Sequence, residues 1–470
     1  MKRIFALLLG AAFLFGSAVQ ASALEVELSG EMDFAFGFTD NAGFSKDDVT
    51  DHFFARQRAR FQVDFIASEN LRGVIMVQAG SEDDNGYEWG DGDSAGYALD
   101  TTNKSLYVRR AYIDWNWPST DVNVKMGMHY MAMPSAVFGN PFWGGEMAGV
   151  SVSTAITDEV SFTAAWARPY RNTTSTKSND MDMFGLFFDF NYEQFVISPW
   201  ITYASVGSDS GFWDDGYTVS RTGAWFDDKS HVYAGGVAIT VSPMDNLEIK
   251  FDGMYAKLKN DSDIRGIGTD PNGNVFTADA IEGDGWLVAL AVDYSLDWGT
   301  PGFFAWYASG DDEDDFEKGK FGRMPMLAGD DGFVATRMGN AGAFSIGDDT
   351  FVNNSGVGTW GVGLQLADLS FVEDLTHTAR IAYYRGTNDK DVWDYAVEIG
   401  ETVYMTSKDW AFEVNFDSEY QIYENLTAVL ELGWIHLNLN EDSISYRREG
   451  TKDREDENAW NAQLSIQYAF

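Results

Sequence analysis

The chain ends in the stretch WNAQLSIQYAF, residues 460–470, in which apolar and polar side chains alternate. Successive side chains of a β-strand point to opposite faces. One face of this stretch is apolar and carries Trp460, Ala462, Leu464, Ile466, Tyr468 and Phe470. The other face is uncharged and mainly polar, and it carries Asn461, Gln463, Ser465, Gln467 and Ala469. The stretch therefore predicts a strand with one face in an apolar medium and the other face forming part of a hydrated wall.

The same alternation recurs upstream, in segments separated by turn residues. The polar face of Phe53–Ala67 carries Arg56, Arg58, Arg60, Gln62 and Asp64. The polar face of Val122–Tyr130 carries Asn123, Lys125, Gly127 and His129. Repeated alternating segments of about ten residues are typical of transmembrane β-barrels, although a soluble β-sheet protein alternates too.

Two further patterns favour a membrane-spanning barrel over a soluble sheet. Aromatic residues such as Trp117 and Trp410 cluster at the ends of the apolar faces, where membrane barrels carry aromatic girdles. Short turns such as Pro118–Asp121 alternate with long polar connections such as Gly207–Ser230 and Gly310–Val357. In lipid the sheet must close, because an open edge would leave backbone groups unpaired.

Counting the segments predicts an all-β fold, a transmembrane antiparallel barrel of eighteen strands, with sixteen as the alternative. An even count places both termini beside the short turns, on the periplasmic side. A barrel of this size leaves an aqueous lumen, whereas about eight strands pack shut.

The composition limits what such a barrel could do. The 470 residues include no Cys, 73 acidic and 32 basic residues, and the formal net charge is −41. Without Cys there are no disulfides and no thiolate-bound metals. Because nucleic acids demand a basic surface, the charge argues against a nucleic-acid partner and fits solvated acidic loops.

The first residues have the three parts of a secretory signal. Lys2 and Arg3 precede the apolar stretch Ile4–Val19, and Ala21-Ser22-Ala23 has the small residues of a cleavage site. We therefore expect a cleaved signal peptide over 1–23 and one barrel domain over 24–470. A retained membrane anchor is the alternative.

The chain resembles the trimeric general porins, and more narrowly the homotrimeric outer-membrane porins of sulfate-reducing bacteria. The resemblance is carried by the signal segment, by the opening Glu25–Gly30 and by the closing strand with Tyr468 and Phe470. It implies a homotrimer of water-filled channels in the outer membrane of a Gram-negative bacterium, through which small hydrophilic solutes and ions diffuse passively. It also implies contact with outer-membrane lipid and lipopolysaccharide, and recognition of Tyr468 and Phe470 by the barrel assembly machinery.

Other functions stay open beside the general diffusion channel. A substrate-selective diffusion channel is the nearest alternative, and a non-conducting structural or adhesive barrel is another. We expect no enzyme, because none of the five His residues lies in a nucleophile or metal motif.

The resemblance also implies a constriction loop after the fifth strand. That segment is Met131–Met147, which is apolar and includes Pro134, Phe138 and Phe142. Its single charge is Glu146. We expect it to fold into the lumen and narrow the channel; the alternative is an apolar loop that caps the trimer axis or lies on lipopolysaccharide.

The basic residues of the second to fifth strands are the predicted lining of the constriction. They are Arg56, Arg58, Arg60, Arg72, Arg110, Lys125 and His129. Three guanidiniums on one strand face would be costly in lipid, so we expect them to face the lumen and act on permeating ions. Alternatively, they pair with lumen carboxylates such as Asp64 and Asp114 and only stiffen the wall. Since the constriction loop is poor in acids, we expect weak selectivity, for anions at the constriction.

We expect no cofactor, but the acidic loops raise the question of metal binding. Glu82–Asp84, Asp91–Asp93 and Asp311–Asp315 offer the oxygen ligands that Ca²⁺ prefers. Asp91 and Asp93 are weak candidates for loosely bound divalent cations such as Ca²⁺, and solvated loops are the alternative.

Overall fold

The computed structural model describes residues 24–41, 44, 52–79, 87–89, 106–171, 180–207, 229–260, 264–269, 275–278, 281–316, 320–327, 333–339, 352, 355–391, 405–440 and 457–470. The predicted signal segment 1–23 and the metal candidates Asp91 and Asp93 lie outside these residues.

Eighteen antiparallel strands form the wall of the molecule. They are β1 Glu25–Asp40, β2 His52–Ser68, β3 Leu71–Ala79, β4 Leu106–Asn116, β5 Val122–Ala132, β6 Gly144–Ala155, β7 Val160–Tyr170, β8 Met181–Tyr192, β9 Phe195–Val206, β10 Ser230–Met244, β11 Leu247–Asn260, β12 Ile281–Tyr294, β13 Thr300–Ala308, β14 Thr359–Val372, β15 Leu375–Gly386, β16 Trp410–Tyr423, β17 Leu426–Asn438 and β18 Glu457–Ala469. Each strand pairs with its neighbour in sequence, and β1 pairs with β18 from Glu31↔Ala469 to Asp40↔Trp460. The sheet is therefore a closed barrel, and the prediction of eighteen strands rather than sixteen is confirmed.

A few short elements accompany the barrel strands. Tyr87–Glu88 pairs with β2, Lys320–Phe321 pairs with β12, and Ile264–Thr269 pairs with Val275–Ala278 as a separate hairpin. The single-turn helix α1 spans Glu313–Phe316. No helix in the described part of the chain is long and apolar enough to cross a bilayer.

The connections between strands differ sharply at the two ends of the barrel. At one end β2 passes to β3 through residues 69–70, and β16 passes to β17 through 424–425. At the other end the connections are long, up to residues 309–358 between β13 and β14. Both described termini lie at the short-turn end, as the sequence predicts.

The outer surface of the barrel is apolar. Ile201, Phe184 and Leu464 are 59%, 50% and 42% exposed, and their neighbours along each strand on the other face are buried or polar. Such a continuous apolar surface would be unfavourable in water and suits lipid.

Much of the inside is filled, and among the described residues two connections that fold inward from the long-loop end contribute most of this core. These are the first inward segment, 133–143 between β5 and β6, and the second inward segment, 320–327 with 333–339, between β13 and β14. Phe142 of the first segment stacks on Trp200 of β9 at 5.8 Å between ring centroids. Phe138 packs edge-on against Phe304 of β13 at 5.1 Å and against Phe333 of the second segment at 5.5 Å. These contacts form a dry core inside the barrel.

The prediction that the polar face of the closing strand is a hydrated wall is wrong for its central residues. Asn461, Gln463 and Ser465 are 3%, 2% and 0% exposed. The second inward segment lies over this face, where Nε of Arg337 donates a hydrogen bond of 3.2 Å to Oδ1 of Asn461. Asn461 therefore binds a loop of the same chain, and the amide of Gln463 donates to Glu431 of β17.

Candidate functional site

The inner face of β2 presents Arg56, Arg58 and Arg60 in a row. The register of β1 and β2 places Asp33 directly across from Arg58 and Glu31 across from Arg60. Nη2 of Arg58 lies 2.7 Å from Oδ2 of Asp33, and Nη1 of Arg60 lies 3.2 Å from Oε1 of Glu31. The carboxylates of β1 therefore neutralise much of the positive charge of these arginines.

A β-bulge extends this row onto β4. Val77 of β3 pairs with Val108 and Met76 pairs with Arg110, so Arg109 is the extra residue between two register positions. A bulge lets two consecutive side chains turn to the same side. Accordingly, Nη2 of Arg109 lies 2.6 Å from Oε2 of Glu146, and Nη2 of Arg110 lies 3.1 Å from Oε1 of the same carboxylate.

Glu146 has a different position from the one predicted. It lies near the start of β6 rather than within the loop, and two guanidiniums hold it. Its predicted position opposite the arginines agrees with these contacts, and only its place within the loop is wrong. The sequence reasoning also missed Arg109, because strict alternation from Arg110 would place it outside, and no residue pattern in β4 marks the bulge.

Gln78 of β3 joins the two arginine groups. Its Oε1 accepts hydrogen bonds from Nε of Arg60 at 2.8 Å and from Nη1 of Arg109 at 2.9 Å. The result is a network of charged and polar side chains across β1–β6, which together with the adjacent Arg56 we call the arginine row: Glu31, Asp33, Arg56, Arg58, Arg60, Gln78, Arg109, Arg110 and Glu146. Its arginine side chains keep between 11% and 30% of their surface exposed, so solvent and solutes inside the barrel can reach them.

Arg72 and Lys125, although predicted as part of the same lining, belong to a second cluster near the short turns. Nη2 of Arg72 lies 3.0 Å from Oδ2 of Asp114, and its Nη1 lies 3.7 Å from Oδ1 of Asp64. Lys125 is the cross-strand neighbour of Asp114. The predicted pairing of lumen arginines with Asp64 and Asp114 thus occurs at Arg72, whereas Arg58 and Arg60 use other carboxylates.

Asp252 of β11 holds the first inward segment against the wall five strands beyond β6, the strand into which the segment leads. Its carboxylate accepts hydrogen bonds from Oγ of Ser135 at 2.6 Å, from the backbone N of Ala136 at 2.8 Å and from the backbone N of Val137 at 2.7 Å. The segment then turns at Phe138 and Gly139, whose φ angles are 54° and 90°. The segment therefore crosses the lumen, as predicted for the constriction loop.

Not every aromatic or basic residue predicted for the constriction is accessible from the lumen. Phe142 is 1% exposed beneath Trp200, and His129 is 4% exposed with its ring between Tyr112 and Ser151. Neither side chain lines the open lumen, because the packing of the inward segment and of β5 covers them. Pro134 and Phe138 are half-buried.

The second inward segment was not predicted from the sequence. Backbone N of Leu327 donates to O of Phe142 at 2.8 Å, and N of Val334 donates to O of Phe138 at 2.7 Å, so the two inward segments bind each other. The apolar stretch Met324–Leu327, inside an otherwise polar connection, is the sequence signal that could have indicated it.

Buried charges fix the tip of the second segment to β16 and β17. The carboxylate of Glu413 accepts hydrogen bonds from backbone N of Met338 at 2.6 Å and of Gly339 at 3.1 Å. The guanidinium of Arg337 forms an ion pair with Glu431. The lumen is thus narrowed by two segments that are held to different parts of the wall.

The acidic stretch Asp311–Asp315 has a structural role at its first residue. Asp311 is 2% exposed, and its Oδ1 accepts hydrogen bonds from backbone N of Gly322 at 3.0 Å and of Arg323 at 2.9 Å. Within the described ranges, no group of three or more His, Asp or Glu residues is arranged to hold a metal ion.

No protein-family model matches the sequence, and no curated protein matches it. Solved structures do match the fold. Acinetobacter baumannii OccAB1 is similar with a TM-score of 0.53 and 11% identity, over 97% of this chain and 99% of that one. Acinetobacter baumannii OccAB3 and Pseudomonas aeruginosa OpdQ each match with a TM-score of 0.51 and 10% identity, over 94% of this chain and 99% of theirs. At such low identity the likeness establishes the fold, a closed barrel of eighteen antiparallel strands.

Proposed function

We propose that this chain is an outer-membrane porin, a channel through which small hydrophilic solutes and ions diffuse passively. The observation that carries the proposal is the combination of an apolar outer surface with a partly exposed arginine row inside the same closed barrel. A soluble barrel would not expose an apolar outer surface to water. A barrel with a sealed core would not keep solvated charges along its inner wall.

The two inward segments favour a substrate-selective channel over a wide general pore. They are anchored by carboxylates of β11 and β16 and bind each other, so together they cover much of the inner wall. A solute must pass between this covered region and the arginine row. Passage would then depend on the size of the solute and on its charge.

The charge balance of the arginine row supports only weak selectivity. Five arginines face three row carboxylates, Glu31, Asp33 and Glu146, and Arg56 lies 3.7 Å from Glu88 of the outer connection. Among the described residues the charges of the row are therefore nearly balanced, which supports weak selectivity, and the arginines are the groups that an anionic solute would meet.

Assembly and surroundings follow from the same proposal. The long connections would face outward, the short turns and both termini would face the periplasm, and a cleaved signal would direct export. A homotrimer in outer-membrane lipid and lipopolysaccharide, without a resident cofactor, is part of the proposal, and divalent cations would at most bind loosely to external loops.

Liposome swelling with neutral, anionic and cationic solutes of graded size tests the channel directly. We expect swelling that falls with solute size and that is faster for anions than for cations of equal size. Single-channel recording in planar bilayers gives the independent measurement, with conductance steps in groups of three for a trimer. A correctly folded barrel that gives neither swelling nor conductance contradicts the proposal and favours a structural or adhesive barrel.

A further inference from the structure

A pocket of about 310 Å³ lies at the short-turn end of the barrel and is lined by residues of β2–β5. Small-molecule sites usually measure about 300–1,000 Å³, so the pocket has room for a small solute. Ile66 lies on the face of β2 that also carries Arg58 and Arg60, so the pocket belongs to the inner side of the wall. We call it the amide pocket, and its principal lining residues are Ile66, Asn70, Arg72, Asp114, Asn116 and Asn123.

The three asparagines of the pocket form a connected row. Nδ2 of Asn116 donates a hydrogen bond of 3.1 Å to Oδ1 of Asn70, and Nδ2 of Asn123 donates one of 3.1 Å to Oδ1 of Asn116. Nδ2 of Asn123 also lies 2.7 Å from Oδ1 of Asp114. Asn70 and Asn116 are exposed to solvent, yet their side chains are held in place by these bonds. The amides are therefore oriented before a ligand arrives, which lowers the entropy that binding costs.

The pocket keeps hydrogen-bonding groups that the protein itself does not use. Oδ1 of Asn123 accepts no hydrogen bond from the described residues, since its contacts all run through Nδ2. Nη1 of Arg72 lies 3.7 Å from Oδ1 of Asp64, which is too far for a hydrogen bond, and the Arg72 side chain is 46% exposed. The pocket therefore offers a ligand both donors and acceptors.

The charges around the pocket do not favour an ion. All connections at the short-turn end belong to the described residues, so the charges beside the pocket can be counted. Arg72 and Lys125 are the cations, and Asp64 and Asp114 are the carboxylates next to them. Glu69 of the turn between β2 and β3 also lines the pocket, so there is no excess of positive charge to select an anion. Asp64 and Asp114 are only 6% and 8% exposed, so a cation would not reach them.

We propose that the amide pocket binds the pyranose ring of a small uncharged saccharide that passes through the barrel. The inference rests on the proposed function, because a solute that has passed the arginine row would reach the pocket before it leaves at the short-turn end. Each sugar hydroxyl is both a donor and an acceptor, so neighbouring hydroxyls match a fixed row of amides beside a planar guanidinium. Ile66 supplies an apolar contact for the C–H groups of the ring.

The test is a titration of the purified barrel in detergent with glucose, measured by saturation-transfer NMR on the sugar. Asn116→Leu removes the central amide of the row at similar volume, and it should weaken glucose binding roughly tenfold, because a donor and an acceptor are lost together. Asn116→Gln keeps an amide and should bind glucose more tightly than Asn116→Leu. Asn191→Leu is the matched control, because Asn191 is an exposed asparagine at the short-turn end of β8, outside the pocket.

Glucuronate and glucosamine carry the same ring with an anionic or a cationic group, and they should bind no more tightly than glucose. Unchanged glucose affinity in Asn116→Leu would overturn the proposal, and so would an equal loss in Asn191→Leu. Glucuronate binding that is tighter than glucose binding and is also lost in Asn116→Leu would make the pocket an anion site. Retention of the barrel on insoluble peptidoglycan, lost in Asn116→Leu, would assign the pocket to the cell wall instead of a solute.

Heat-modifiable gel mobility confirms that each variant is folded, and conductance of the same preparations separates the two proposals. Glucose should block the wild-type current in a saturable manner, and the block should need more glucose in Asn116→Leu. A folded wild type that binds glucose but does not conduct counts against the channel alone. A conducting wild type that binds no glucose counts against the saccharide site alone.

Discussion

At the scale of single residues, buried or paired carboxylates determine where the inward segments and the arginines lie. Asp252 is 1% exposed and accepts three hydrogen bonds from one loop, and Asp33 is fully buried beside Arg58. A buried carboxylate without such partners would be strongly unfavourable. These acids therefore hold the inward segment and the arginine in place, and thereby determine which groups a solute meets in the lumen.

Asp252→Asn should loosen the first inward segment. The substitution removes the charge that strengthens bonds from Ser135, Ala136 and Val137, and hydrogen bonds to charged groups contribute about 1.5–3 kcal/mol each. We expect a larger open-channel current with more noise and a higher size limit in liposome swelling. Ser135→Ala removes one of the three bonds and should give a smaller change. If Asp252→Asn leaves conductance, noise and size limit at wild-type values, the anchor does not determine the aperture.

The triple variant Arg56→Ala/Arg58→Ala/Arg60→Ala should shift the channel toward cations. It leaves Glu31 and Asp33 without their partners, and a unit charge about 6 Å from an ion in water is worth roughly 0.7 kcal/mol, or about threefold in permeability per charge. Reversal potentials in a KCl gradient measure the ratio of cation to anion permeability. Arg72→Ala, in the separate cluster with Asp114, is the control and should change the ratio less. An unchanged ratio in the triple variant would show that the arginines only stiffen the wall.

The residues of this site could be predicted where the strand pattern alone determines their side. Arg56, Arg58 and Arg60 occupy alternate positions of a regular strand, so periodicity suffices to place them on one face. Their partners were harder to predict, because a carboxylate on β1 becomes a neighbour only through the register of β1 and β2. Arg109 could not be assigned at all, since the bulge that turns it inward is an irregularity between two strands.

At the scale of elements, the strands and the inward segments differ in how much the local sequence reveals. Alternation identified all eighteen strands, because lipid on one side and lumen on the other impose a period of two. The second inward segment is held by contacts such as Met338 to Glu413, which lie far apart in the sequence. No local pattern encodes such a contact. The sequence therefore predicts a solvated polar connection between β13 and β14, whereas the structure buries part of this connection inside the barrel.

Glu413→Gln should release the tip of the second inward segment. The carboxylate accepts hydrogen bonds from Met338, Gly339 and Asn415, and Gln offers a single uncharged acceptor oxygen in its place. We expect brief transitions to a larger conductance, because the segment can leave the wall while the first segment stays anchored at Asp252. Single-channel records compare this variant with Asp252→Asn and with the double variant. Because the two segments also bind each other, we expect the double variant to differ from the sum of the two single variants, and strictly additive effects on conductance would contradict this coupling.

At the scale of the whole molecule, closure of the barrel depends on the seam between β1 and β18. The backbone of Phe470 exchanges two hydrogen bonds with Gly30, at 2.9 Å and 3.0 Å. The ring of Phe470 packs against Tyr468 at 5.6 Å and against Phe61 of β2 at 5.9 Å, so the last side chain spans the seam. Closure removes the unpaired sheet edge, which would be prohibitively unfavourable in lipid.

Phe470→Ala should therefore impair assembly more than it changes the finished channel. The substitution removes the ring contacts across the seam and leaves the backbone bonds possible, and moving a large apolar side chain out of water stabilises by about 1.5–3 kcal/mol. We expect less folded barrel in the outer membrane and slower refolding into vesicles, measured as the heat-modifiable band on gels. Channels that do form should keep wild-type conductance, because the ring of Phe470 packs on Phe61 at the outer face of the wall, whereas the arginine row lies on the inner face. Phe371→Ala is the matched control: Phe371 is also an aromatic at the short-turn end and is 77% exposed, but it lies on β14, away from the seam. If both variants assemble equally well, the terminal ring is not needed for closure. If Phe470→Ala assembles normally but alters conductance, the closing strand influences the lumen directly, and the separation between a strand that closes the barrel and strands that select solutes would fail.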